Sequence, residues 1–139
     1  MKPILVVSSI LALATSTFAQ KRIPEVVKTA FAKGNPSATN LKWDKESTGD
    51  FEANCKNNAI PMSFVYSPAG ELLETETEIN ASAFPPDIAE AIRTQFPKAK
   101  IKGGAIIVSN KGVTQYEADL QIGKRKMEKK FDSEGNLSK

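Results

Sequence analysis

Two stretches of the chain place apolar residues at helical spacing, and each is followed by segments in which apolar and polar residues alternate. The spacing predicts a first helix opening at Pro24, with Val26, Val27, Ala30 and Phe31 on one stripe and Gly34-Asn35-Pro36 closing it. A second helix is predicted from Pro85, with Ile88, Ala91, Ile92 and Phe96 on its stripe and Pro97 closing it. Asp87 sits favourably near its N-terminus.

After each helix the period shortens to two, as expected for antiparallel strands with one buried and one wet face. Leu41 and Trp43 begin the first sheet, and Ser47-Thr48-Gly49-Asp50 reads as a turn. Phe51, Ala53 and Cys55 then oppose Glu52, Asn54 and Lys56. Ile60, Met62, Phe64 and Tyr66 share a face of the next strand, and a long strand runs from Glu71 to Ile79. In the second half Tyr116, Ala118 and Leu120 oppose Glu117, Asp119 and Gln121, and Met127 and Phe131 mark the strand that follows, with Lys129 in the place of Phe64. Ser67-Pro68-Ala69-Gly70 and Asp132-Ser133-Glu134-Gly135 read as equivalent hairpin turns.

The two halves repeat one another. Ile23-Pro24, Val27, Ala30, Phe31, Pro36 and Ala38 match Phe84-Pro85, Ile88, Ala91, Ile92, Pro97 and Ala99 at a constant offset of 61. Phe51 to Asn54, Tyr66, Gly70 and Leu72 match Tyr116 to Asp119, Phe131, Gly135 and Leu137 at an offset of 65. The second half has therefore gained four residues between Lys100 and Val113, where Lys102-Gly103-Gly104 and Asn110-Lys111-Gly112 carry turn chemistry. A unit of about 60 residues has a marginal core by itself, so the halves are expected to share a core or a sheet. The organisation is read as a signal peptide over 1–19, a first helix-plus-sheet repeat over 20–82 and a second over 83–139, the repeats forming one compact domain.

The signal peptide rests on a basic start, Met1-Lys2, an apolar run from Ile4 to Ala14, and Thr17-Phe18-Ala19 ahead of a cut after Ala19. That run is shorter than the about 20 residues needed to span a bilayer. A periplasmic or secreted protein without a stable membrane anchor is expected. The chain carries 19 basic and 16 acidic side chains, too mild a surplus to argue for nucleic acid. Cys55 is its one cysteine and histidine is absent, which removes internal disulfides, the usual general base and the commonest zinc ligand. No catalytic, cofactor or metal residues are assigned, and the protein is read as not an enzyme.

Several features have a plain structural reading beside a chemical one. Glu74, Glu76 and Glu78 share a face and read as a solvated strand surface, since acid–base work or calcium binding needs groups converging from different elements. The basic stretch from Lys124 to Lys130 reads first as protection of a sheet edge and second as an anion-binding patch, with the acidic strand near enough to neutralise it. Asp132 to Asn136 reads as a turn, lacking the distal glutamate of a calcium loop, and Cys55 as a buried small apolar residue. Trp43 is both core filler and candidate interface anchor. Glu52, Asn54, Glu117 and Asp119 are expected on wet faces of equivalent strands, and with Trp43 they form the candidate partner-binding set.

Pro36-Ser37-Ala38, Trp43, Phe51-Glu52-Ala53 and the stretch Tyr66 to Leu72 recur as Pro97-Lys98-Ala99, Tyr116-Glu117-Ala118 and Phe131 to Leu137, without a second tryptophan. In these motifs the chain resembles the PepSY-like family named for its similarity to β-lactamase inhibitor protein. The resemblance implies an α+β fold, a tandem duplication of a helix followed by a three- to four-stranded antiparallel sheet. It also implies an exported protein-binding module whose sharper form is an inhibitor of an extracytoplasmic enzyme. The alternative is a small-ligand or envelope-surface sensor binding in a groove between the repeats. No cofactor is expected.

Overall fold

The computed structural model describes residues 22–138. The signal peptide expected over 1–19 lies outside the described residues. The chain runs α1 (Glu25–Gly34), β1 (Thr39–Lys45), β2 (Phe51–Asn57), β3 (Ile60–Tyr66), β4 (Leu72–Ile79), a single 3-10 turn (Ala81–Ala83), α2 (Pro86–Gln95), β5 (Lys100–Ser109), β6 (Thr114–Ile122) and β7 (Arg125–Asp132). It is an α+β protein. The strands do not form two separate three- to four-stranded sheets but one seven-stranded antiparallel sheet, in the order β1 to β7. The join is the β4–β5 pair, where Glu74 to Ile79 lie opposite Ser109 to Gly104. A sheet split at that point would leave two more unpaired edges, which continuous pairing removes.

Both helices lie on the same side of this sheet. The cross-strand row Cys55, Met62, Thr77, Ile106, Tyr116 and Phe131 belongs to one face and links the two clusters. Under α1, Val27 and Phe31 pack on Phe51, Ala53, Cys55, Phe64 and Tyr66. Phe31 meets Trp43, Phe64 and Tyr66 edge to face, with ring centroids 5.5, 5.8 and 6.4 Å apart. Under α2, Phe84, Ile88, Ala89 and Ile92 pack on Ala118, Leu120 and Phe131. Two stripe positions differ from the predicted ones. Val26 is exposed, its side chain lying at the Gly70 turn, and Ala89 is buried in the place expected of Ala91.

The extra residues of the second half also differ from expectation. Asn110-Lys111-Gly112 does turn, with the Gly112 amide donating to Ser109 O at 2.9 Å, but Gly103-Gly104 lies inside β5 beside a bulge. The reason is packing. Ala53 pairs with Trp43, whereas its counterpart Ala118 pairs with Gly104, and Phe84 fills the space over that glycine. A methyl group on Gly104 would lie 2.7 Å from Phe84 Cζ and collide with the Glu117 carbonyl. Bulk supplied by a strand residue in one half is thus supplied in the other by the residue before the helix.

Candidate functional site

Side chains that point away from both helices form the open face of the sheet. Alternation sends Asp44, Glu52, Asn54, Ser63, Val65, Glu74, Glu76, Glu78, Ala105, Ile107, Glu117, Asp119, Glu128 and Lys130 to this side. The three glutamates of β4, expected on a plain solvated strand, therefore occupy the middle of a seven-stranded face. The acidic strand and the basic β7 do not pair, because β5 and β6 lie between them, but Lys130 of β7 lines one hollow with Glu74 and Glu76. β7 does form the end of the sheet, which suits lysines at an edge.

The predicted residues divide between the two faces. Glu52, Asn54, Glu117 and Asp119 all face the open side, the first pair on β2 and the second on β6, four strand spacings or roughly 19 Å apart in a flat sheet. Twist curls the sheet so that Asn54 and the β6 pair line one hollow of about 330 Å³, completed by Pro61, Ser63, Glu76, Glu78, Ala105 and Glu128. Glu52 lines an adjoining hollow with Val65, Glu74, Glu76 and Lys130. Trp43 is not on this surface; it is half-buried beside Phe31 on the helix side. Ala105 helps to open the first hollow, since its methyl is the whole side chain between Glu78 and Glu117.

Hydrogen bonds order one wall. Ser63 Oγ donates to Asn54 Oδ1 at 2.6 Å, and Asn54 Nδ2 donates to Asp44 Oδ2 at 3.4 Å. The carboxylates are less well served. Glu76 lies directly across from Ser63 and Ile107, and Ile107 is 1% exposed although it belongs to the open face. Burial is the main reason that Glu76 is pushed up to about 7; Glu117 adds to the rise, Lys130 opposes it, and Glu52 and Glu74 add further. Glu117 is also raised, chiefly by burial and against the pull of Lys130, whose Nζ stands 3.8 Å from Glu117 Oε2. That separation, with Lys130 46% exposed, makes a weak ion pair.

Glu117, Asp119 and Glu128 bring carboxylate oxygens within 4.8 Å of one another. They supply three side chains where calcium takes about six to eight oxygens, and two of the three are exposed, so the set is partial. The Asp132 loop holds itself together: Oδ1 accepts the amides of Glu134 and Asn136, both at 2.9 Å, and the Asn136 side-chain bond, followed by the backbone bonds, lowers the Asp132 pKa. Cys55 is buried, with its thiol pushed up by desolvation, the opposite of an activated nucleophile. No helix among the described residues is long and apolar enough to cross a membrane.

Sequence reasoning missed Glu76, Ser63, Ala105 and Glu128 as parts of one surface. The Glu-x-Glu-x-Glu alternation was visible, but nothing local says that β4 pairs with β5 and becomes central.

A model of the PepSY-like family, described as beta-lactamase-inhibitor-like, matches residues 52–139. No curated protein sequence matches the chain. Among solved structures, a protein of Bacteroides eggerthii, provisionally described as periplasmic, is similar with a TM-score of 0.74 at 15% identity, covering 85% of this chain and 87% of that one. A DUF2874 family protein of Bacteroides ovatus gives 0.71 at 17% identity, covering 85% and 86%. A BLIP-like protein of Bacteroides fragilis gives 0.65 at 21% identity, covering 85% and 84%. At these identities the likeness is one of fold.

Proposed function

This chain belongs to the PepSY-like, beta-lactamase-inhibitor-like family, and from that premise we propose that it is an exported, non-enzymatic protein-binding module whose partner docks on the open sheet face. One observation carries the proposal: both helices cover the same face, leaving the other, with its carboxylate-rimmed hollow, uncovered across seven strands. Such a face with polar, partly desolvated groups at its centre is suited to a partner more than to catalysis, which would need an activated nucleophile or a matched acid–base pair. Inhibition of an extracytoplasmic enzyme is the sharper form of this reading, and fold alone does not select the target. The description of the Bacteroides eggerthii protein is in keeping with a periplasmic or secreted location.

The two halves, 20–82 and 83–139, are read as tandem repeats within one domain. Equivalent local geometry supports this. Pro24 and Pro85 precede the helices at φ −58°, ψ 144° and φ −52°, ψ 141°, and Asn35 and Phe96 follow them at φ −133°, ψ 60° and φ −128°, ψ 64°. Phe51 opposite Tyr66 and Cys55 opposite Met62 recur as Tyr116 opposite Phe131 and Leu120 opposite Met127. Gly70 and Gly135 close the matching turns at φ 84° and 85°.

The test is capture from an extract of the source's own envelope, with an E52K/E117K variant and an E90K/E134K control away from the face. A partner held by the wild type and the control but lost by E52K/E117K supports docking on the open face. A partner retained by E52K/E117K, or no partner for any form, counts against it.

A further inference from the structure

The open face is charged unevenly. Among the described residues acidic and basic side chains are equal, sixteen of each, yet the strand register sends nine carboxylates and only five cationic groups to this side. Lys100 and Lys126, opposite Gln121, and Lys56, opposite Pro61, lie toward one end. The groups around Glu76 are Glu74 and Glu78 on its own strand, Glu52 from β2, Glu117 from β6 and Lys130 from β7, while Ser63 and Ile107 beside it are uncharged. Lys130, reaching in from the edge strand β7, is thus the one cation among the charged groups that act on Glu76.

Resting on the docking surface proposed above, we infer that the partner presents a lysine- or arginine-bearing segment to this face and seats one such side chain in the hollow between Ser63, Glu76, Ala105 and Glu117. Three features argue for that chemistry. The hollow, at about 330 Å³, is at the low end for ligand sites and has room for a long side chain. Its lining sets the Ala105 methyl and Pro61 beside a rim of Glu76, Glu78, Glu117, Asp119 and Glu128. An apolar base with an anionic rim complements an aliphatic stem ending in a cation. Among the described residues the crowding is only partly relieved, since Lys130 reaches Glu117 at 3.8 Å. An incoming cation would relieve it, favouring the ionised form of Glu76 and releasing the proton that burial leaves on it near neutral pH.

The inference is tested on the full chain by two-dimensional NMR, titrating a nine-residue Gly-Ser peptide with three lysines and its Lys→Gln counterpart. The lysine peptide is expected to shift Ser63, Glu76, Ala105 and Glu117. Affinity should fall about tenfold in E76Q/E117Q and be unchanged in E90Q/E134Q. It should also weaken as pH falls from 8 to 6, a dependence that E76Q flattens, with proton release detectable by calorimetry in buffers of different ionisation enthalpy. Equal binding of the Lys→Gln peptide, or equal loss in E90Q/E134Q, would overturn the inference. So would calcium alone shifting Glu117, Asp119 and Glu128 while the peptide shifts nothing, or concentration-dependent shifts showing the β7 strand of a second copy on the face. A partner lost by E52K/E117K yet indifferent to E76Q/E117Q and to 500 mM salt would refute the cationic occupant and leave the docking surface standing.

Discussion

Replacing Glu76 by glutamine should make the protein more stable at pH 8 and change little near pH 4.5. The folded carboxyl is raised from 4.5 to about 7, so the native state holds its proton more tightly than the unfolded chain does. Between those values the native state binds more protons, and stability falls as pH rises; the penalty is complete above about 7 and absent below about 4.5. At about 1.4 kcal/mol per pKa unit the full displacement corresponds to about 3 kcal/mol. Glu76 is only half-buried on an open face, and solvent screening reduces the expected gain for E76Q to about 1–2 kcal/mol at pH 8. Urea unfolding between pH 4.5 and 8.5 measures this, followed by the fluorescence of Trp43, the one tryptophan, on the opposite face. The wild-type slope should have the same sign from Glu117, which is also raised, whereas Asp132 is lowered and acts only below its ordinary 3.8. A variant less stable than wild type at pH 8, or a difference that does not change with pH, would refute the reasoning.

Gly104→Ala should destabilise by about 2 kcal/mol or more, since the new methyl meets the Glu117 carbonyl as well as the Phe84 ring; a loss under about 0.5 kcal/mol in urea unfolding would contradict the packing described. Trp43→Phe should cost about 1–2 kcal/mol by shrinking the contact with Phe31, without altering peptide binding on the open face; loss of that binding would place Trp43 in the interface after all. Cys55 should react slowly with a thiol reagent at pH 8 in the native protein and at once in guanidinium, because it is 6% exposed and its pKa is raised; rapid native reaction would show the first core opening locally.

Much of the local structure was legible along the chain. The prolines and apolar stripes marked both helices to within a residue or two, and alternation assigned Phe51, Ala53 and Cys55 to the buried side of β2. The turns ending in Gly70 and Gly135 could be read because a positive φ is easiest for glycine and the demand lies within four residues. These features depend on backbone sterics and side-chain periodicity, which act between neighbours in sequence and therefore leave their mark there. Gly103-Gly104 misled, because glycine also serves where another group must come close, and Phe84 approaches from a different element. Whether Val26 or Ala89 reached the core likewise depended on where the sheet lay under each helix.

The sequence by itself determined the helices, the strands, the hairpin turns and the polar character of Glu52, Asn54, Glu117 and Asp119. Only the tertiary structure decided that β4 pairs with β5, that Glu76 stands at the centre of a single sheet, and that Trp43 faces away from the candidate site. Pairing between distant strands rests on the fit of whole surfaces, and the curl that brings Asn54 and Asp119 to one hollow is the summed twist of the strands between them. The desolvation that raises Glu76 comes from that assembled surface, so no stretch of residues read alone carries it.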